Sequence, residues 1–280
     1  MKRLESASSF AKRSLGQNFL TDSNIIKKIV EAVNPAPTDT IIEIGPGRGA
    51  LTERLIEFRA QVIAIELDRN LVPYLKEIFA SRSNVQVVEG DALDVDLEMI
   101  LSASDRSAAS GNAKVVANLP YYISTAILQR LSDQRHLFSE LVLMFQREVV
   151  ERITAKPGNS ERGYLTVIVE ACFDVEKLFD VPPGAFHPVP KVWSSVVRLT
   201  PKLNSSFDKA VFENIVSSAF AQKRKTILNN LKTSFNGADR LLAGADIDPK
   251  RRAESLTLDE WIKLTESIMS ATGTAPPAER

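Results

Sequence analysis

Cysteine and histidine are scarce in this sequence of 280 residues, which contains one cysteine and two histidines. The single cysteine, Cys172, excludes a disulfide framework and a cysteine-based zinc cluster, and it is typical of a reducing compartment. His136 and His187 are too few for a histidine-rich site, so we expect no bound metal.

Long apolar runs are absent as well. No stretch approaches the roughly 18 consecutive apolar residues of a membrane-spanning helix. The N-terminal segment carries basic side chains but not the apolar segment that a signal peptide needs. These absences predict a cytoplasmic protein without a membrane partner.

The sequence also lacks a net charge, because its 35 basic residues balance its 35 acidic residues. The overall charge therefore gives no argument for nucleic-acid binding. Local clusters say more: Lys223, Arg224 and Lys225 lie in a segment without an acidic residue, and residues 250–252 are basic again. Such clusters are commonly solvated surfaces, but two of them in one region favour a phosphate-binding surface.

Short apolar runs alternate with segments of helical spacing between residues 40 and 145. Leu51, Leu55 and Phe58 show the helical spacing. Continuous apolar strands separated by amphipathic helices are typical of βαβ units, whose parallel sheet is buried on both faces. The predicted strands cover residues 40–44, 61–66, 85–89, 114–117 and 141–145.

The pattern changes towards the C-terminus. Apolar residues at helical spacing begin at Phe207, and residues 257–260 match a capping box that starts another helix. Residues 102–113 are small and polar, which indicates a surface loop. The apolar pattern of residues 164–173 leaves helix and strand undecided.

These changes predict a three-part organisation. We expect a first, α/β domain over residues 1–201 and a small all-helical domain over residues 202–268. The remaining residues, 269–280, have the composition of a disordered tail.

A glycine-rich loop, Gly45-Pro-Gly47-Arg-Gly49, separates the first predicted strand from the next helix. Glycines there allow a tight turn and let a ligand approach backbone amides. Alone, the loop is weak evidence for a ligand. Its spacing is not the dinucleotide-binding fingerprint, and no Gly-Lys-Ser/Thr follows, which excludes a phosphate-binding P-loop.

Two acidic residues follow at the ends of the next strands. Glu66 ends the second strand, where a carboxylate can accept both hydroxyls of a ribose. Asp91 lies just beyond the third strand, where it could contact an adenine edge. Either acid alone could be a loop or helix-cap residue, but open α/β sheets bind ligands at the carboxyl ends of successive parallel strands.

In this order and spacing, Glu43 in the first strand, the glycine loop, Glu66 and Asp91 resemble the S-adenosylmethionine-dependent methyltransferases. The resemblance implies a Rossmann-like, seven-stranded sheet whose last strand is antiparallel. It also implies that S-adenosylmethionine lies across the strand ends.

The segment Asn118-Leu119-Pro120-Tyr121 resembles the motif of methyltransferases that act on exocyclic amines of bases. Adenine N6 is a poor nucleophile because its lone pair is delocalised into the ring. The Asn118 side-chain oxygen and the Leu119 carbonyl could accept both N6 hydrogens, and Tyr121 could stack on the base. Pro120 ends the strand, and Tyr122 is expected to pack.

A second aromatic residue, Phe186, lies in a proline-rich loop and could close the other face of the base, although simple packing is the alternative. Its surroundings resemble a signature of the ribosomal RNA adenine dimethyltransferases. Residues 13–22 and 146–153 match that family too, and the resemblance covers residues 10 to about 265. It implies that Asn18 and Leu20 close over the cofactor, that Asn118 borders it, and that a strand near 173–181 follows a helix.

The resemblance implies dimethylation at N6 of two adjacent adenosines in a hairpin loop near the 3′ end of 16S ribosomal RNA. It implies that Lys223, Arg224 and Lys225 dock this RNA. The balanced charge favours an assembled small subunit as the substrate. We expect a monomer with an additional role in subunit biogenesis.

Three alternatives stay open at this point. One is a large-subunit adenine methylase of the macrolide-resistance type, against which the Phe186 loop argues. Another is a DNA adenine methyltransferase, although no target-recognition insertion is evident. The third is an assembly or transcription factor that has the fold without the chemistry.

Overall fold

The computed structural model describes residues 17–103, 112–203 and 207–272. Its described residues form two compact units. One contains the residues up to 150 together with 174–201, and the other contains 151–173 and the residues from 202 onwards.

Strands and helices are mixed along the chain up to residue 201, and helices follow. The strands are β1 (Phe19–Leu20), β2 (Thr40–Ile44), β3 (Gln61–Glu66), β4 (Val85–Glu89), β5 (Ala113–Asn118), β6 (Phe138–Gln146), β7 (Phe173–Val181), β8 (Phe186–His187) and β9 (Ser194–Pro201). The helices are α1 (Ser23–Val33), α2 (Ala50–Leu55), α3 (Leu71–Ile78), α4 (Leu97–Ser102), α5 (Ser124–Asp133), α6 (Arg147–Ile153), α7 (Tyr164–Cys172), α8 (Lys209–Ala219), α9 (Ile227–Leu231), α10 (Ala238–Gly244) and α11 (Leu258–Thr272).

The first unit is built on a seven-stranded sheet with the order β4-β3-β2-β5-β6-β9-β7. Strands β2, β3, β4, β5 and β6 are parallel to one another, with Ile41 opposite Val62 and Lys114. Strand β9 is antiparallel to β6, with Leu141 opposite Leu199. The predicted seven-stranded sheet with an antiparallel last strand is therefore confirmed.

The central strands are apolar on both faces. Ile41 and Ile42 are consecutive in β2, so their side chains point to opposite faces, and both are 0% exposed. Complete burial of such a side chain stabilises the fold by roughly 1.5–3 kcal/mol. The sheet therefore needs helices on both sides, which places the ends of its strands, rather than its faces, in reach of a ligand.

Helix α1 begins at a side-chain cap. The Asp22 carboxylate accepts hydrogen bonds from the backbone N–H groups of Asn24 and Ile25. Its apolar stripe, which includes Ile29 and Val33, is buried in the core. The cap fixes where the helix starts.

The second unit is helical, and it includes α7, which the prediction had assigned to the first domain. Helix α7 packs on α8 and α11. Its apolar residues Leu165, Val167 and Ile168 are all buried. A helix that is apolar on most sides needs partners all round. The predicted boundary at residue 202 therefore has to be corrected to place residues 151–173 with the helices.

The predicted tail and the predicted loop 102–113 lie only partly within the described residues. The expected tail from residue 269 is wrong at its start, because α11 continues to Thr272 and Met269 is buried. Residues 273–280 lie outside the described residues. The expected loop 102–113 also lies mainly outside them, between the end of α4 and the start of β5.

No helix within the described ranges combines the length and the apolar character needed to cross a membrane.

Candidate active site

A cavity of about 1190 Å³, including its open mouth, lies at the carboxyl ends of β2, β3, β4 and β5. Segment 17–21 and His187 complete its lining. The predicted site residues in that lining are Asn18, Leu20, Gly45, Gly47, Glu66, Asp91, Asn118, Leu119, Pro120 and Tyr121. The sheet thus brings together residues that are spread over a hundred positions of the sequence.

The glycine loop after β2 depends on left-handed backbone conformations. Gly45 has a φ of +67° and Gly47 a φ of +58°, which favour glycine. A Cβ added to Gly47 would lie 2.9 Å from Cδ1 of Phe19, whereas one added to Gly45 would meet nothing within 4 Å. Gly47 therefore makes room for the N-terminal segment, and Gly45 leaves open space in the cavity.

The carboxylate of Glu66 lies against this loop. Its Oε2 accepts a hydrogen bond of 3.0 Å from the Gly47 N–H, and its Oε1 accepts one of 2.8 Å from the Asp68 N–H. Burial raises the pKa of Glu66, and these hydrogen bonds oppose the rise. The acid at the end of β3 is therefore held in place before any ligand binds.

Glu43 forms a second, deeper carboxyl group at the cavity. It is 2% exposed, and its Oε2 accepts a hydrogen bond of 2.5 Å from the hydroxyl of Thr52. Burial raises the pKa of Glu43 to about 7, the Thr52 bond opposes the rise, and Glu66 adds to it. The floor of the cavity therefore holds two neighbouring carboxyl groups.

Asp91 lines the cavity and also stabilises the backbone turn after β4. Its Oδ1 accepts a hydrogen bond of 2.9 Å from the Leu93 N–H, which closes a turn after β4. The neighbouring Gly90 N–H donates to the Glu66 carbonyl at 3.0 Å. The segment thus keeps its backbone at the cavity edge.

The segment from Gln17 to Leu20 crosses the strand ends. The Gln17 amide donates to Asp68 at 3.3 Å, and the Asn18 carbonyl accepts from Asn118 at 3.0 Å. The Arg48 guanidinium lies 5.2 Å from the ring centroid of Phe19. Strand β1 also pairs with β8 in a separate two-stranded sheet, so this segment is held at several points.

Asn118 and Tyr121 are both fixed by side-chain hydrogen bonds. Because the Asn118 Nδ2 donates to the Asn18 carbonyl, its Oδ1 is the atom left to accept a hydrogen from a ligand. The Tyr121 hydroxyl shares a 3.0 Å hydrogen bond with the Ser194 hydroxyl of β9. Burial raises the pKa of Tyr121, so this phenol stays neutral at physiological pH.

Comparison with known proteins shows the family of this chain. The model of the ribosomal RNA adenine dimethylase family matches residues 9–270. The chain belongs to this family. Ribosomal RNA small subunit methyltransferase A of Geobacter sulfurreducens is 44% identical over 271 residues, covering 94% of this chain and 97% of that protein. The protein of the same name in Shouchella clausii is 42% identical, covering 92% and 90%.

Solved structures support the same fold. A dimethyladenosine transferase from Plasmodium falciparum has a TM-score of 0.76 at 28% identity, covering 91% of this chain and 98% of its own. The 23S rRNA methyltransferase ErmE has a TM-score of 0.68 at 25% identity, covering 89% and 99%. The predicted Rossmann-like methyltransferase fold with a helical C-terminal region is confirmed.

Enzymes of this family use S-adenosylmethionine, and the cavity fits that cofactor. The open space beside Gly45 leaves room for a ligand against the backbone. The Glu66 carboxylate at the end of β3 suits the hydroxyls of a ribose. The cofactor expected from the sequence is therefore the one that these residues can hold.

Phe186 does not reach the cavity, in contrast to the expectation. Its side chain is 2% exposed and belongs to the same core cluster as Leu20, Val181 and Ala185. Alternation along β8 turns Phe186 inwards, while His187 lines the cavity. A ring buried there presents no face to a base, so its predicted stacking role has no support in this conformation.

Tyr122 was expected to pack, and this is wrong. Its side chain is 58% exposed, and the residue borders the cavity. The prediction failed because an apolar pattern cannot distinguish a buried ring from one at the rim of a site.

The basic residues of the second unit fall into two groups. Lys223, Arg224 and Lys225 are exposed in the turn between α8 and α9. Arg251 instead binds both carboxylate oxygens of Glu260, at 2.5 and 3.0 Å, and this bond lowers the pKa of Glu260. The backbone carbonyl of Arg251 accepts a hydrogen bond of 2.7 Å from the Ile227 N–H. Arg251 is thus a structural residue that joins the second basic segment to the start of α9.

Proposed function

We propose that this protein transfers methyl groups from S-adenosylmethionine to N6 of two adjacent adenosines in small-subunit ribosomal RNA, forming N6,N6-dimethyladenosine. We place these adenosines in a hairpin loop near the 3′ end of the 16S RNA. The observation that carries the proposal is the fixed orientation of Asn118, whose amide nitrogen donates to Asn18 and whose oxygen is left to accept.

The base-binding residues act on the electrons of N6. Asn118 Oδ1 and the Leu119 carbonyl accept the two N6 hydrogens, which localises the nitrogen lone pair. The Leu119 N–H donates to the Met144 carbonyl at 3.4 Å, and Pro120 ends the strand, so the Leu119 carbonyl is set by the backbone. Tyr121, held by Ser194, stacks on the base.

S-adenosylmethionine would supply an activated methyl group, because breaking its methyl C–S bond releases a neutral thioether, S-adenosylhomocysteine, while the methylated N6 loses a proton to solvent. The protein contributes mainly by positioning the cofactor. Gly45 and Gly47 shape the binding loop, and Glu66 holds the ribose. Asp91 and its neighbouring amides would hold the adenine, Asn18 and Leu20 would hold the methionine end, and Asn118 would border the cofactor.

We propose that the first unit carries catalysis and that the helical unit docks the RNA. Lys223, Arg224 and Lys225 suit phosphates because they are exposed and no acidic residue lies in their segment. Since the substrate is a ribosomal particle, we place the protein in the cytoplasm, as a monomer that also acts in small-subunit biogenesis.

The competing function is methylation of large-subunit RNA, because the 23S rRNA methyltransferase ErmE shares the fold. The higher TM-score of the dimethyladenosine transferase and the names of the sequence relatives favour the small subunit.

The test is methyl transfer from radiolabelled S-adenosylmethionine to purified small and large subunits that have not been methylated. We expect label in the RNA of the small subunit. Label confined to the large subunit would contradict the proposal.

A further inference from the structure

Two exposed aromatic residues lie close to the target-base side of the cavity: Tyr122 borders the cavity, and Trp193 precedes Ser194, which is bonded to Tyr121. Tyr122 is 58% exposed and Trp193 is 47% exposed. Each is the sequence neighbour of a residue in the hydrogen bond between the hydroxyls of Tyr121 and Ser194. This bond therefore brings the backbones of two exposed aromatic residues to the wall on which the target base is expected to stack.

The backbone at Trp193 is well fixed even though the side chain is exposed. The Trp193 carbonyl accepts a hydrogen bond of 2.9 Å from the Arg147 N–H, and Ser194 pairs with Gln146 at the start of β9. A large apolar ring is thus held in solvent by a rigid strand end. Burial within this chain does not account for it.

The surroundings are apolar and basic. Val189 and Val192, in the same loop, are 63% and 38% exposed. Lys191 between them and Arg147 beside the Trp193 carbonyl are exposed, and residues 188–193 include no acidic residue. Aromatic rings next to positive charges suit single-stranded nucleic acid, whose bases stack while its phosphates bind cations.

We propose that Tyr122, at the rim of the cavity, and Trp193 form a second stacking surface for nucleotides that flank the target adenosine. This inference rests on the proposed function. A base that enters the cavity leaves its neighbours without their stacking partner, and an aromatic ring at the rim replaces that partner. The surface thus selects unpaired RNA at the point where the target base enters the cavity.

The kinetic test uses unmethylated small subunits with saturating S-adenosylmethionine. Trp193→Ala and Tyr122→Leu each raise KM for the subunit about tenfold, as expected for the loss of one base–ring stack, and change kcat less. Trp193→Phe restores most of the affinity, because it keeps an aromatic face. Met99→Ala is the matched control, since Met99 is 62% exposed in α4. An unchanged KM in both Trp193→Ala and Tyr122→Leu would overturn the proposal.

Fluorescence gives a readout that does not depend on activity. The sequence contains two tryptophans, of which Trp193 is exposed and Trp261 is 0% exposed. Hexa-adenylate RNA quenches the wild-type emission, and the quenching disappears in Trp193→Phe, in which Trp261 is the remaining tryptophan. Quenching that persists in Trp193→Phe, or no quenching of the wild type, would contradict stacking on Trp193.

The outcomes separate this inference from the proposed function. If the wild-type protein methylates small subunits and both variants have a normal KM, the stacking surface is wrong and the proposed function stands. Wild-type protein that fails to methylate them overturns the proposed function. If Trp193→Ala converts a dimer into a monomer in sedimentation, the surface binds a second copy and the proposal is wrong.

Discussion

The two halves of the cavity are built in different ways. On the cofactor side, Gly47 and Glu66 are joined by a hydrogen bond across only 19 residues of chain. On the base side, the bond between Asn18 and Asn118 spans 100 residues, and the bond between Tyr121 and Ser194 spans 73. The first half is a local βαβ feature, whereas the second requires the completed sheet and the N-terminal segment.

This difference predicts that cofactor affinity and the rate of methyl transfer depend on different residues. The buried carboxyl groups of the cofactor side are held by neighbouring groups and are ready to bind. The base side orients one amide oxygen and one ring through contacts that come from distant segments. We therefore expect substitutions on the cofactor side to change cofactor affinity or stability, and those on the base side to change methyl transfer.

The largest effect is expected at Asn118. Asn118→Ala removes an acceptor for the N6 hydrogens and should lower kcat by about 100-fold or more, in line with losses of positioned transition-state hydrogen bonds. Binding of S-adenosylmethionine, measured by calorimetry, should stay measurable.

Asn118→Asp is the matched variant, because it keeps acceptor oxygens but loses the donor to Asn18. We expect its activity to lie between wild type and alanine. Full activity of Asn118→Ala would remove this residue from the mechanism.

The second effect is a pH dependence of stability caused by Glu43. Its pKa rises from 4.5 to about 7 on folding, so between these pH values the folded protein holds a proton that the unfolded chain loses. The free energy of unfolding should therefore fall as pH rises through this range, by about 3 kcal/mol at 1.36 kcal/mol per pKa unit.

Urea denaturation at pH 5 and pH 7.5 measures this slope. Glu43→Gln should remove most of it, leaving the smaller contribution of Glu66, whose pKa is raised in the same direction. Glu57→Gln is the control, because Glu57 is an exposed partner of Arg54. An equal slope in Glu43→Gln and wild type would show that Glu43 is not the group that titrates.

The smallest of the three effects concerns Glu66. Glu66→Gln keeps the shape but removes the charge that ribose hydroxyls would meet, and a charge-assisted hydrogen bond contributes roughly 1.5–3 kcal/mol. We expect cofactor affinity to fall about tenfold or more, with kcat nearly unchanged at saturating cofactor. Titration calorimetry measures the cofactor affinity, and initial rates measure kcat. A loss of kcat without a loss of cofactor affinity would contradict the proposed difference between the two halves of the cavity.

The sequence predicted the local parts of the structure well. Strands β2, β3 and β4 agree with the predicted ranges to the residue. For β2 and β3 the reason is that strands buried on both faces are nearly continuous apolar runs. The capping box is also confirmed, since the Glu260 N–H donates to the Thr257 hydroxyl at 3.2 Å and Glu260 accepts from the Thr257 N–H.

What failed depends on side-chain and backbone contacts that the local sequence patterns do not show. Phe186 is buried because β8 pairs with β1, which no local pattern of the proline-rich loop reveals. Arg251 looked like part of a phosphate-binding cluster, but its guanidinium is held by Glu260. Strands β5 and β6 extend beyond their apolar runs because backbone pairing with neighbouring strands, not hydrophobicity, sets their ends.

The central claim is that the base side of the cavity presents N6 of adenosine for two successive methylations. Its most direct test is mass spectrometry of nucleosides and RNA fragments from unmethylated small subunits after incubation with the wild-type protein and S-adenosylmethionine. We expect N6,N6-dimethyladenosine at two adjacent positions of the RNA. Finding only N6-monomethyladenosine, or methylation of another base, would contradict the claim.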